Sequence, residues 1–139
     1  MISFTIKGRP KALKRHRYSA KLGRNYDPSS KDKSDLWLQI AKFRPKLPIA
    51  GDVRISIRFT MGRPKHHYRT GKYAHLLKDK CKDIIYHSIV PDLDNLVKLL
   101  LDSVCGKGKM ICDDSQVCEM YAEKRYGEKP NTAVIIEEI

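Results

Sequence analysis

Two short acidic segments stand out in a chain that is otherwise strongly basic. The first, P-D-L-D-N, contains Asp92 and Asp94, and the second, C-D-D-S-Q, contains Asp113 and Asp114. The chain carries 28 Lys and Arg against 16 Asp and Glu, a formal net charge of +12. Such a charge favours an anionic partner, first of all a nucleic acid. Carboxylates beside a face that binds nucleic acid would repel its phosphates unless a cation lies between them.

Mg²⁺ is the cation that suits such a site, because it takes carboxylate, water and phosphate oxygens as ligands. It would orient the scissile phosphate and lower the pKa of a bound water, so that hydroxide can attack in line. Lys98 comes four residues after Asp94, one turn along the same face of a helix. Its ammonium would hold the phosphate or stabilise the charged transition state. The two acidic segments and Lys98 therefore predict metal-assisted hydrolysis of a phosphodiester.

Each of these residues also has a structural interpretation. Asp94 is of the type that caps a helix N-terminus, a role worth about 1 kcal/mol, and Asp92 can stabilise a turn. The second acidic segment can be an ordinary turn before a strand. Lys98 can form an i,i+4 ion pair with Asp94 or Asp102, worth about 0.2–0.5 kcal/mol. Taken singly, the acids favour these structural roles, whereas two acidic segments in so basic a chain favour the metal site.

The elements that must position these residues follow from hydrophobic periodicity and turn residues. Alternation is clearest in V-R-I-S-I-R-F-T-M, which predicts a strand with one apolar face. Ser29 or Ser30 can cap a helix whose apolar stripe includes Trp37, expected in the core. The predicted strands cover residues 2–7, 53–61, 84–90, 116–126 and 132–138, and the predicted helices run to about residue 43 and from about residue 94 to residue 104.

Together these elements predict one α/β (α+β) domain over residues 1–139, with a mixed β-sheet of about four to five strands and two main helices. The last two strands, joined by G-E-K-P-N, are expected to form a hairpin. Both acidic segments fall at junctions between elements, where side chains from distant parts of the chain can converge. Gly106-Lys107-Gly108 lacks the strand-loop-helix context of a phosphate-binding loop and is interpreted as a turn.

Two long basic segments separate the predicted elements. Residues 1–33 hold ten Lys and Arg against two Asp, and residues 62–82 hold seven against one Asp. Long loops in compact domains are uncommon and often functional, so both segments are candidates for contact with DNA. His66 and His67 are expected at the surface or against DNA rather than on a metal. The candidate DNA-binding residues are Lys11, Lys14, Arg15, Arg17, Arg24, Arg69 and Lys72.

Other features argue against several classes of protein. The four cysteines, at positions 81, 105, 112 and 118, include no C-x-x-C pair. This spacing favours free thiols over a disulfide or a zinc site. No apolar run approaches the roughly 20 residues that cross a bilayer, and the N-terminus lacks the apolar stretch of a signal peptide. We therefore expect no membrane partner and a location in the cytoplasm.

The stretch P-D-L-D-N-L-V-K-L-L-L-D, followed by a short glycine-containing loop and D-D-S-Q-V, closely resembles the signature of the RusA family of Holliday-junction resolvases. The resemblance extends to the basic N-terminal arm, to R-T-G-K before the acidic segments and to K-R-Y-G-E-K-P after them. It implies a homodimeric, Mg²⁺-dependent endonuclease of bacterial or phage origin that nicks four-way DNA junctions symmetrically. The approximate two-fold symmetry of a junction fits a dimer with two matched active sites.

Carried over by position, the resemblance implies one set of catalytic residues: Asp92, Asp94 and Asp114 as acids and metal ligands, with Lys98 as the essential lysine. Asp113 matches the first acid of the D-D pair and is a further candidate ligand of the metal. Val90 departs from the pattern, because many relatives carry a basic residue just before P-D-x-D. This departure leaves the implied metal site whole and is expected to weaken a local phosphate contact.

Two rival interpretations stay open at this point. In the first, the chain is a non-catalytic DNA-binding protein whose acids only cap helices and form turns. In the second, it is a nuclease whose substrate is a flap or an ordinary duplex rather than a junction. Binding that is insensitive to Mg²⁺, without strand scission, would indicate the first. Cleavage of a flap or duplex as fast as a junction would indicate the second.

Overall fold

Six strands and two helices make up the regular part of the chain, all 139 residues of which are described by the computed structural model. The strands are β1 (Ile2–Lys7), β2 (Arg17–Ser19), β3 (Arg24–Tyr26), β4 (Val53–Gly62), β5 (Val117–Gly127) and β6 (Asn131–Glu138). The helices are α1 (Ser30–Ile40) and α2 (Leu93–Val104), and single 3₁₀ turns cover residues 41–43, 65–67, 71–73, 79–81 and 114–116. Four strands form one mixed sheet in the order β1-β6-β4-β5, and β2 and β3 form a separate sheet.

β4 forms the centre of the core because its apolar residues alternate. Every second side chain from Val53 to Met61 is buried, and those between them are exposed or half-buried. Leu96, Leu100 and Val104 of α2 belong to the same buried cluster. Burying an aliphatic or aromatic side chain contributes about 1.5–3 kcal/mol, so this face holds the helix in place. The predicted α+β fold is confirmed. Neither α1 nor α2 has the length and apolar character required of a membrane-spanning segment.

β5 and β6 do not form the predicted hairpin, because β4 lies between them. β4 runs parallel to β5 and antiparallel to β6, and β6 also pairs antiparallel with β1. The connection 128–130 therefore crosses the end of β4. Two glycines permit this close crossing: a Cβ on Gly127 would collide with Thr60, and a Cβ on Gly62 would lie 3.3 Å from Pro130. The turn residues correctly indicate that the chain reverses, but they do not determine the neighbouring strand.

Segment 84–90, which was predicted as a strand, runs beside β5 as irregular chain. It forms one isolated bridge, between Tyr86 and Arg125. Ile89 and Val90 at its end are exposed. The segment is apolar but lacks alternation, so it presents no single face that a core could cover. The prediction of a strand here is wrong for that reason.

The first basic segment, predicted as a loop, contains the short hairpin formed by β2 and β3. Gly23 allows its tight turn through a φ of +64°. The segment is attached to the fold by two backbone N–H groups: Leu13 donates to the Asn95 carbonyl (2.9 Å), and Lys14 donates to Ser29 Oγ (2.7 Å). Ser29 is therefore buried and does not cap α1 with its side chain. This first basic segment, the basic arm of the protein, thus lies against the first turn of α2.

Candidate active site

The first acidic segment forms the start of α2. Asp92 is the N-cap residue, and its carbonyl accepts the N–H of Leu96 (3.2 Å), but its carboxylate makes no capping hydrogen bond. Asp94 follows in the first turn. Both acids are exposed, because Leu96 and Leu100 turn the apolar side of the helix to the core. The interpretation of Asp94 as the N-cap is therefore wrong, and neither carboxylate is used for capping.

Lys98 lies one turn after Asp94 on the same exposed face. Its Nζ is 3.6 Å from Asp94 Oδ2, and both side chains are more than half exposed. Solvent screening makes such a pair worth about 0.5 kcal/mol at most. Asp102, a suggested partner of Lys98, instead pairs with Lys33, whose Nζ lies 2.9 Å from Asp102 Oδ2. Lys98 can therefore exchange Asp94 for a phosphate oxygen at little cost.

Lys124 of β5 fastens the segment that carries Asp92. Its Nζ donates hydrogen bonds to the carbonyl oxygens of Ile89 (2.6 Å) and Pro91 (2.6 Å). Burial lowers the pKa of Lys124, and the carboxylate of Asp92 acts in the opposite direction. Lys124 is absent from the predicted site. Lys124 lies two positions after Ala122, which packs against the core, so the alternation of β5 places the two side chains on the same face of the sheet. This alternation is the one signal for Lys124 in the sequence.

The second acidic segment forms a 3₁₀ turn before β5. Asp113 Oδ1 accepts the N–H of Ser115 (2.9 Å), and Gln116 Oε1 accepts the N–H of Asp113 (2.8 Å), which together make a capping box. The hydrogen bonds from Ser115 lower the pKa of Asp113. Asp114 is exposed and takes no part in this cap. Of the two acids, Asp113 is thus engaged in local structure and Asp114 is available for other contacts.

These two acids border a hollow of about 330 Å³ at the C-terminal end of α2, which is also lined by Lys33, Asp102 and Cys105. Burial, followed by the negative charges of Asp114 and Asp113, raises the pKa of the Cys105 thiol to about 11. The thiol therefore stays protonated and is a poor nucleophile or metal ligand. The hollow gathers negative charge around a single lysine.

The two acidic segments consequently lie at opposite ends of α2. An α-helix rises about 1.5 Å per residue, so Asp94 and Asp102 are about 12 Å apart along the axis. Asp114 borders the hollow together with Asp102. No three or more His, Cys, Asp or Glu side chains are grouped so that they could hold a metal ion. The single chain brings Asp92 and Asp94 together without Asp114, and a metal shared by all three stays a prediction.

The surface around Asp92 and Asp94 is basic, because the arm runs beside the first turn of α2. All seven predicted DNA-binding residues are exposed. Two of them form surface ion pairs within the chain, Lys11 with Asp32 (3.1 Å) and Arg69 with Asp79 (3.2 Å). The other five form none: Lys14, Arg15, Arg17, Arg24 and Lys72. Four of these residues, Lys14, Arg15, Arg17 and Arg24, belong to the first basic segment, and their uncompensated charges make that segment attractive to phosphates. Contact with DNA stays a prediction.

His67 is not at the surface, in contrast to the prediction for the His66-His67 pair. It is buried, with its ring centroid 5.1 Å from that of Tyr126 and its Nδ1 3.4 Å from an Arg63 nitrogen. Burial, with the charges of His66 and Arg63, lowers the pKa of His67. The ring therefore packs as a neutral aromatic group against Tyr126, in an edge-to-face arrangement. His66 is exposed, as predicted.

Residues 7–137 match the family model described as Endodeoxyribonuclease RusA. The chain belongs to the RusA endodeoxyribonuclease family. One relative is "Uncharacterized protein YqaN" of Bacillus subtilis (strain 168), which is 31% identical over 143 residues, covering 99% of this chain and 96% of that protein. The resemblance seen in the acidic segments is confirmed. Membership of the family makes the chain a nuclease, a hydrolase that acts on DNA.

In this member of the RusA family, the residues at the start of α2 fit a Mg²⁺ ion. Asp92 and Asp94 present carboxylate oxygens that no capping bond occupies, and the one ion pair there is weak. Mg²⁺ is commonly held by one or two carboxylates, with waters and substrate phosphates as the other ligands. The first acidic segment therefore offers two carboxylates of the kind that Mg²⁺ takes as ligands.

Proposed function

We propose that this chain is a Mg²⁺-dependent, structure-selective endonuclease that resolves four-way DNA junctions by paired symmetric nicks. The observation that carries the proposal is the pair of exposed carboxylates of Asp92 and Asp94 beside a basic arm. Acids at a face that binds DNA are unfavourable unless a cation neutralises them. Membership of an endodeoxyribonuclease family supports a hydrolytic use of that cation.

In the proposed reaction, Asp92 and Asp94 would hold the Mg²⁺ ion. When bound, the ion supplies the charge that polarises the phosphate and acidifies a water. Lys98 would leave Asp94 and bind a non-bridging oxygen of the scissile phosphate, stabilising the negative charge that develops there. Lys124 would keep the Asp92 carboxylate in place by holding the backbone before it.

A homodimer with two such sites would match the two-fold symmetry of a junction. β5 is an edge strand, and its outer edge is covered in its second half, where Tyr86 bridges to Arg125. Its first half, residues 118–122, exposes Met120 and Tyr121 and pairs only with β4. An unpaired strand edge readily pairs with another copy of itself. Antiparallel pairing of β5 with β5 is therefore the proposed dimer contact.

The same pairing gives Asp114 a role as the third catalytic acid. In one chain Asp114 lies at the other end of α2 from Asp92. Two β5 strands paired antiparallel about Met120, over residues 118–122, would bring the turn before one strand, which carries Asp114, to the end of the pairing where segment 84–90 covers the edge of the other strand. Because Lys124 holds the segment that carries Asp92, the partner's Asp114 would come to the side of the first acidic segment.

Cleavage of a junction, a flap and a linear duplex of equal sequence, each with and without Mg²⁺, tests the proposed function. We expect symmetric nicks in the junction, only with Mg²⁺, and slower cutting of the other two substrates. Asp92→Asn should abolish nicking while junction binding survives, and the matched control Asp52→Asn should cut normally, because Asp52 is an exposed acid on the chain before β4.

Three results would contradict this proposal, each in a different way. If Asp92→Asn cut as well as the parent protein, the catalytic assignment would fail. Binding without scission, insensitive to Mg²⁺, would indicate a non-catalytic DNA-binding protein. Equal cleavage of flap or duplex and junction would keep the nuclease but remove its preference for four-way DNA.

A further inference from the structure

An open pocket of about 350 Å³ lies beside the segment that leads into α2. Its walls come from four parts of the chain: the residue Arg9 just after β1, residues 61–64 at the end of β4, the segment 87–90, and the end of β5 with the connection that follows it. Arg9, Arg63 and His87 supply its basic groups, and Met61 and Tyr126 are among its apolar ones. No Asp or Glu lines it. Basic groups without a carboxylate make the pocket favourable for an anion.

Arg9 brings an uncompensated charge to this pocket. It is exposed and forms no ion pair within the chain, whereas Arg54 and Arg58 each pair with a glutamate. Its backbone is nevertheless held in place, because the preceding Gly8 N–H donates to the Pro130 carbonyl (3.1 Å). The side chain is therefore anchored at its backbone, and the donors of its guanidinium are free for a ligand.

Arg63 forms part of the rigid back of the pocket. Its guanidinium donates to the carbonyl oxygens of Cys81 (3.2 Å) and Ile84 (2.7 Å). The same group stacks over the ring of Tyr126, with 5.1 Å between the guanidinium carbon and the ring centroid. These contacts neutralise none of its charge, because carbonyls and an aromatic ring carry no net charge. Arg63 thus contributes positive potential from a fixed place.

His87 is buried beside the same ring. Its ring centroid is 5.0 Å from that of Tyr126, and its buried Nδ1 has no hydrogen-bond partner. Burial, followed by the positive charges of Lys124 and Arg9, lowers the pKa of His87. Neither Arg9 nor Arg63 forms an ion pair within the chain, so their charges at this pocket are not balanced by an acid. An anion in the pocket would supply that balance.

The pocket adjoins the acids of α2. Ile89 and Val90 line it, and Pro91 and Asp92 follow directly in the chain. Two Cα–Cα steps separate Val90 from Asp92, so the two positions lie at most about 7.6 Å apart. Lys124 holds this segment through the carbonyls on either side of Val90. A DNA strand whose scissile phosphate lies at Asp92 would therefore pass the mouth of the pocket.

We propose that this pocket binds a backbone phosphate of the cleaved DNA strand that neighbours the scissile phosphate, with Arg9 as its main ligand. The inference rests on the proposed function, since it takes the strand to be cut at Asp92. Arg9 would donate charge-assisted hydrogen bonds from its planar guanidinium, while Arg63 adds positive potential behind it.

The test combines Arg9→Gln with junction strands that carry one neutral methylphosphonate at successive positions around the cleavage site. In the parent protein, neutralising one flanking phosphate should lower kcat/KM about tenfold or more. Arg9→Gln should show a similar loss on the unmodified strand, with no further loss from that methylphosphonate. The control Lys46→Gln removes an exposed charge without an ion pair and should keep the full methylphosphonate penalty.

The proposed phosphate contact would be refuted if the losses of kcat/KM from Arg9→Gln and from the methylphosphonate were additive at every position. It would also be refuted if Arg9→Gln lost no more activity on the unmodified strand than Lys46→Gln. Affinities of the same strands in EDTA give a readout that does not depend on cleavage. If the parent protein cut no DNA, the proposed function would fail. The affinities of the parent and Arg9→Gln proteins for modified and unmodified strands would still show whether Arg9 contacts the phosphate. Loss of the methylphosphonate penalty in Arg9→Gln supports the phosphate contact, and additive affinities exclude it.

Discussion

Replacing Lys124 with methionine would measure how firmly the chain holds the segment that carries Asp92. The change keeps most of the side-chain volume and removes the ammonium that donates to the carbonyls of Ile89 and Pro91, both at 2.6 Å. Hydrogen bonds from a charged group contribute about 1.5–3 kcal/mol each, and part of this is offset by solvent exposure and by the desolvation of the ammonium. We expect the free energy of unfolding to fall by about 2–3 kcal/mol.

The same substitution should reduce nicking more than DNA binding. Once the Pro91 carbonyl is released, the neighbouring Asp92 carboxylate loses its fixed position. A displacement of about 1 Å can cost about a hundredfold in rate. We expect kcat at saturating junction to fall about tenfold or more. The Kd for the junction should change much less, because only one positive charge is lost.

Urea denaturation followed by circular dichroism measures the stability, and nicking of a labelled junction measures the rate. Lys129→Met is the matched control, because Lys129 is an exposed lysine just beyond the end of β5. A Lys124→Met variant as stable and as active as Lys129→Met would refute the reasoning. Lower stability with an unchanged nicking rate would show that Lys124 supports the fold but does not position Asp92.

In dimers that pair one Asp92→Asn copy with one Asp114→Asn copy, we expect nicking to return, because one site would then hold both intact acids. Mixed dimers as inactive as either variant alone would place the whole site within one chain. Met120→Lys should weaken dimers in sedimentation equilibrium by opposing like charges across β5, and an unchanged association constant would exclude that edge. Asp27→Asn should lower the unfolding free energy by about 1 kcal/mol at pH 7, since its carboxylate accepts from Lys33 (2.8 Å). That hydrogen bond lowers the pKa of Asp27, so its stabilisation is present above the ordinary pKa of about 4 and is lost as pH falls through the folded-state value. Urea titrations at pH 7 and pH 3 should therefore show a smaller difference at the lower pH.

Local periodicity was sufficient to predict the elements that form the core. The alternation from Val53 to Met61 and the spacing of Leu96, Leu100 and Val104 each leave one apolar face, and burial of that face fixes the orientation of the element. Such patterns need no knowledge of the rest of the chain. They also place the first acidic segment at the start of a helix.

Contacts between distant residues were not predictable in the same way. G-E-K-P-N correctly indicates a reversal, but β5 pairs with β4, so that Tyr121 lies opposite Ser56, which is 65 positions earlier in the chain. His67 is buried because Tyr126 packs beside it, and no residue near His67 in the sequence indicates this. The pairing partner of β5 and the burial of His67 both depend on which elements pack side by side. The residues near each position in the sequence do not indicate this packing.

By itself, the sequence indicated the family, which the family model confirms, and it placed Asp94 and Lys98 one turn apart on an exposed helix face, because residue type and helical spacing are enough for both. Only the tertiary structure decided that Asp114 lies at the other end of α2. It alone showed that Lys124, 33 residues after Pro91, fastens the segment before Asp92. The physical reason is that these arrangements depend on the packing of β5 against the rest of the fold, which couples residues that no local pattern connects.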